Sequence, residues 1–145
     1  MKINKIKVSS LENPMKKTVK TSRAQQNVAR HLIVQILTSN GLVGIGEGAP
    51  RPHITGENLD SVFAAIEKQI GPVLIGEDPL NTHVIRKKMD KATELNPTAK
   101  CAIDLALYDI IGKSFGVPVY DLLGGKTKDH LHTNYICDIN EPELV

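Results

Sequence analysis

The chain has 145 residues, a formal net charge of +2, 41% hydrophobic and 3% aromatic residues, and no Trp. Those numbers fit one domain of ordinary size with an aliphatic core. The weak charge, with Lys and Arg scattered, argues against a nucleic-acid partner, and the lack of a long apolar run argues against a membrane span or signal peptide, so a cytoplasmic protein is expected.

Residues 3–11 place Ile6 and Val8 on one face and Lys5 and Lys7 on the other, which predicts an edge strand guarded by lysines. Residues 12–26 are polar, lysine-rich and follow neither period, so they read as a long loop. Residues 28–38 carry Leu32, Val34 and Ile36 on one face and Ile33 and Leu37 on the other, as a central strand would. Asn40-Gly41 predicts a type I′ turn, which needs positive φ at both positions, leading into a third strand over residues 42–47. A three-stranded antiparallel meander follows. The run Gly44-Ile45-Gly46-Glu47-Gly48 resembles a phosphate loop only superficially, because it meets Pro50 and Pro52 instead of a helix whose N–H groups could hold a phosphate.

Residues 50–56 read as a second loop, with Thr55 placed to cap a helix lined by Leu59, Val62, Phe63, Ile66 and Ile70 and stopped by Gly71-Pro72. Asp78-Pro79 predicts the start of another helix, carrying Leu80, Val84, Ile85, Met89 and Ala92. The longest helix spans residues 96–115, capped by Asn96, opened by Pro97 and closed by Gly116 and Pro118. Ala99, Ile103, Ala106 and Ile110 form one apolar face, and Cys101, Leu105, Tyr108, Gly112 and Phe115 a nearly opposite one, so cover on both sides is expected, with Cys101 as a small core residue. Lys100 with Asp104, and Asp109 with Lys113, read as seams of paired charge. Cys101 and Cys137 form no metal or redox motif and are expected to be reduced. The fold class is α+β, strands first and helices gathered on one side. Residues 131–139 alternate as a strand and Asn140 precedes Glu143 in capping-box spacing, which predicts the first βα unit of a barrel that is cut off; the other reading is a polar C-terminal tail.

Residues 102–125, A-I-D-L-A-L-Y-D-I-I-G-K-S-F-G-V-P-V-Y-D-L-L-G-G, resemble a signature of the mandelate racemase and muconate lactonizing enzyme branch of the enolase superfamily, with Tyr108 where Trp is commoner. The resemblance implies an enolase-like capping domain over residues 1–128, with residues 129–145 entering the first strand of a (β/α) barrel. Gly46-Glu47-Gly48-Ala49-Pro50 and Ile54-Thr55-Gly56-Glu57 look most like the dipeptide epimerases, which invert an α-carbon after removing its proton. Arg23, after Val19-Lys20-Thr21-Ser22, would then bind the substrate's carboxylate, and Ile54 would shape the substrate from the second loop. A solvated loop arginine is the plainer reading of Arg23. Ile136 stands where those enzymes commonly have Thr or Ser, which suits an apolar substrate, a muconate-type cycloisomerase or an o-succinylbenzoate synthase relative.

In that branch Mg²⁺ and lysine bases make α-proton removal feasible. The resemblance places them on later barrel strands, so no catalytic or metal-ligating residue is expected in this chain; Asp138 and Glu47 match no ligand position. The intact enzyme would use Mg²⁺ and a dipeptide or other small carboxylate. The chain alone would be inactive, hold no metal, and self-associate through apolar surface that a barrel would cover. A non-catalytic binding module is the remaining reading.

Overall fold

The structure, a computed structural model, describes residues 1–20, 22 and 25–134. Three antiparallel strands in the order β1-β2-β3 form the sheet: β1 (Ile3–Lys20), β2 (Gln25–Thr38) and β3 (Val43–Gly48). The α+β meander expected from the sequence is present, with β2 central. Register pairs Ile6, Ile36 and Gly44, then Val8, Val34 and Gly46, on one face of the sheet. That face meets the helices, and Leu32, Val34 and Ile36 are fully buried in an aliphatic core with Ile66, Ile70, Leu74, Ile85, Ile103 and Ile110.

The strands are longer than hydrophobic alternation indicates. Residues 12–20 and 25–26 are strand and not loop: β1 continues to Lys20 and β2 begins at Gln25, with Glu12 opposite Arg30 and Lys20 opposite Gln25 across a register shift between Pro14 and Val19. Beyond Leu32 no third strand pairs with β2 among the described residues, so these pairs make a two-stranded ribbon. Such a ribbon can be wet on both faces and need show no alternation, because its backbone hydrogen bonds define it. The β2–β3 turn also differs from expectation. Gly41 has φ +85°, but Asn40 has no positive φ; Thr38 N–H donates to Leu42 O and Gly41 N–H to Thr38 O, as in a three-residue connection.

Helices follow: α1 (Pro52–Thr55), α2 (Leu59–Ala64), a π-helical turn over Ala65–Ile70, and α3 (Gly71–Leu74). Asn58, and not Thr55, caps α2, through a reciprocal box with Ser61. Gly71-Pro72 does not stop the chain's helical course. The π turn lets Gly71 N–H donate to Ile66 O and puts Pro72 in the first turn of α3, where a missing N–H costs nothing. After this come α4 (Thr82–Ala92), α5 (Pro97–Phe115) and α6 (Val119–Leu122). The start of α4 lies after Asp78-Pro79, leaving Leu80 outside it and exposed, while Ile85 and Met89 are buried.

The central helix α5 differs from its reading in three respects. Asn96 is left-handed at φ 64° and makes no side-chain cap; it donates from Nδ2 to Thr93 Oγ1. The cap comes from afar: the carboxylate of buried Glu57 accepts from Thr98 N–H at 3.1 and 3.2 Å and from the Thr98 hydroxyl. A carboxylate there also meets the positive end of the helix dipole. Glu57→Ala should therefore destabilise the chain by about 1–2 kcal/mol, read by urea denaturation; an unchanged midpoint would show that water replaces the cap without cost. Second, Ala99, Ala102, Ile103, Ala106 and Ile110 are buried, but much of the opposite face is open: Gly112 is buried and Tyr108 half-buried, whereas Cys101 is exposed, and Leu105 and Phe115 are 47% and 63% exposed. Third, Lys100 pairs with Asp90, while Asp104 takes Arg86 in two hydrogen bonds of 3.0 Å. Asp104, then the Tyr108 hydroxyl, raises the Arg86 pKa further. Asp109 and Lys113 do pair, and they also bond Ile45 N–H and Val43 O, covering part of the free edge of β3.

Candidate functional site

An open cleft lies at the end of the sheet where β2 begins and β3 ends. β3 delivers the chain to Pro50-Arg51-Pro52, and the residue before a proline is held extended; Arg51 has φ −131° and ψ 96°. Its carbonyl accepts from Ile54 N–H and Thr55 N–H, both at 2.9 Å, so its backbone is fixed by the first turn of α1. From there the Arg51 guanidinium crosses to the ribbon and donates from Nη1 to Gln26 Oε1 at 2.9 Å. Gln26 in turn donates from Nε2 to Val28 O at 2.9 Å, which sets which way its amide faces.

This contact joins two segments 25 residues apart in the wall of an open cleft of about 480 Å³. Val28, Pro50, Pro52 and Leu59 supply apolar wall, and Glu12, Arg30, Arg51, His53 and Asp60 supply charge or imidazole. Arg30 donates from Nε to Glu12 Oε1 at 3.0 Å, an exposed cross-strand pair that leaves little net charge of its own. A second polar pair, His31 Nδ1 with Glu47, stitches β2 to β3 away from this wall.

The residues singled out from sequence fall differently. Ile54 lies on α1, 72% exposed, beside the cleft but not among the side chains that line it. Arg23 and Ile136 lie outside the described residues, as do Cys137 and Asp138; of the strand expected over residues 131–139 only 131–134 are described, and they form no strand. The ribbon and the segment after β3 meet through Gln26 and Arg51, which the sequence reading assigned to no site. Arg51 between two prolines was the available signal; its partner across the ribbon was not. Among the described residues no three His, Cys, Asp or Glu side chains converge. Glu57 and Glu47 are engaged with Thr98 and His31. No described helix is long and apolar enough to cross a membrane.

Residues 5–124 match the profile of the mandelate racemase / muconate lactonizing enzyme N-terminal domain. The chain is 35% identical over 143 residues to the N-succinyl-L-Arg/Lys racemase of Bacillus cereus, covering 99% of this chain and 39% of that protein. To the hydrophobic dipeptide epimerase of Enterococcus faecalis it is 38% identical over 145 residues, 100% of this chain and 40% of that one. The crystal structure of the Enterococcus faecalis dipeptide epimerase complexed with Mg and L-Leu-L-Tyr superposes with a TM-score of 0.93 over 99% of this chain and 40% of that chain. The chain thus spans about two fifths of the length of these relatives.

Proposed function

This chain belongs to the mandelate racemase/muconate lactonizing enzyme family, and on that premise we propose that it is the substrate-shaping part of an enolate-forming isomerase, a dipeptide epimerase in the first instance. Residues 1–128 would be the capping domain, with residues 129–145 leading into the barrel. The observation that carries this reading is the Gln26–Arg51 contact, which brings the ribbon and the segment after β3 to one cleft. A cap of that form can enclose a substrate against a barrel mouth and exclude water from the reacting carbon. The chain's own residues orient and screen; removal of the α-proton, and the Mg²⁺ on which the related enzymes would rely, belong to the three fifths of the relatives' length with no counterpart here. A cycloisomerase is the second reading, supported by 36% identity over 127 residues to a chloromuconate cycloisomerase of Pseudomonas putida.

The test joins residues 1–128 to the barrel of the Enterococcus faecalis relative and incubates it with Ala-Glu or apolar dipeptides and Mg²⁺ in D₂O. Deuterium should enter the α-carbon with the joined protein and not with the 145-residue chain alone. Exchange by the chain alone would overturn the division of labour. No exchange with any dipeptide, alongside turnover of a muconate, would replace the epimerase by the cycloisomerase.

A further inference from the structure

We propose that the open face of the sheet is a two-fold interface with a second copy of this chain. It is the face turned away from the helices and differs from the Cys101–Leu105–Phe115 face of α5, and the inference does not depend on which substrate is taken.

The first support is the chemistry of that face. Register sets Lys5, Leu37 and Val43 in one row, Lys7, Gln35 and Ile45 in the next, and Ser9, Ile33 and Glu47 in the third. An antiparallel sheet with one solvated face turns polar residues outward. Here Ile33, Leu37 and Val43 are only half-buried and Ile45 is 49% exposed, so the middle of the open face is apolar. A contiguous apolar patch rimmed by polar residues marks a surface that meets protein.

The second support is the sign of the rim, and it selects a second copy as the partner. One edge carries Lys5 and Lys7, both exposed and without a carboxylate partner among the described residues. The other carries Glu47, 53% exposed, whose Oε1 meets His31 Nδ1 and whose Oε2 has no hydrogen bond among the described residues. Turning a second sheet about an axis parallel to β2 lays β2 on β2, with Ile33 and Leu37 against their own counterparts. The same turn puts β1 of each copy over β3 of the other. Lys7 then lies within one row of Glu47 of the second copy, a step that a lysine stem spans. An unrelated surface would have to supply both signs in this order, whereas this face matches itself. The contact forms twice by symmetry and, because a two-fold closes, it stops at the dimer.

Sedimentation equilibrium of the 145-residue chain should show monomer and dimer with a Kd of about 10–100 µM, as suits a small patch with few anchors. Ile45→Lys should weaken association at least about tenfold, by putting a charge where the dimer excludes water. Lys7→Glu and Glu47→Lys should each weaken it about tenfold, because each sets two pairs of like charges together, and the two combined should return to within about threefold of the parent. Leu105→Lys, on the open face of α5, should stay within about twofold. Unchanged core amide shifts in the ¹⁵N spectrum of each variant show that the fold is retained. A chain that is monomeric at about 1 mM would overturn the assignment. So would oligomers larger than two, association that survives Ile45→Lys, or charge reversals that do not rescue each other. Loss of the dimer on Leu105→Lys would overturn it too, and would give the contact to α5.

Discussion

Gly46→Ala is expected to cost about 3 kcal/mol or more and to leave the chain largely unfolded in mild denaturant, because the new methyl has no room. A Cβ on Gly46 would lie 1.9 Å from Ala102 O and 2.8 Å from Ala106 N, and one on Gly44 would lie 2.1 Å from Ala106 O. These atoms are backbone of α5. Relief would require moving the whole helix, which Asp109 and Lys113 tie to β3 through Ile45 N–H and Val43 O. A control isolates the cause: Gly41→Ala meets nothing within 4 Å and is strained only by φ +85°, so its cost should be about 1–2 kcal/mol. Urea denaturation of both variants decides the matter. A Gly46→Ala midpoint no lower than that of Gly41→Ala would mean that β3 and α5 are not in backbone contact.

The same glycines show how much of the fold was legible. The prolines after them argued against a phosphate loop, but nothing in their pattern hinted that a helix lies against them, since a missing side chain leaves no periodic signal. Elements with one buried face were read well: Leu32, Val34 and Ile36 on β2, and Ala99, Ile103 and Ile110 on α5, are the core. The ribbon was not, because no buried face marks it. Caps were misplaced wherever a distant residue supplied them, as Glu57 does for α5 across 41 positions. The site suffered likewise. Arg51 is informative only with Gln26 beside it, and that pairing joins positions 25 residues apart that no local pattern links. Charges followed nearest neighbours in space, so Asp104 answers to Arg86 on α4 instead of Lys100 on its own helix.

The helix α5 supplies the other large effect, and it turns on the face that was misread. Ile103 is fully buried between sheet and helices, whereas Leu105, two residues on, is 47% exposed. Removing three methyl or methylene carbons from Ile103 forfeits their transfer energy and leaves a cavity in a close-packed core, so Ile103→Ala should cost about 2–5 kcal/mol, and Ile103→Val about 0.5–1.5 kcal/mol. Leu105→Ala removes a comparable volume from a surface that water already reaches, and alanine is the better helix former, so its cost should stay within about 0.5 kcal/mol. Both variants keep the helix and its charges, which leaves cover as the only difference between them. Equal destabilisation, measured on the 145-residue chain at a concentration where it sediments as a monomer, would mean that something covers the Cys101–Leu105–Phe115 face even here. A cost at Ile103 alone would leave the Cys101–Leu105–Phe115 face free to meet a barrel.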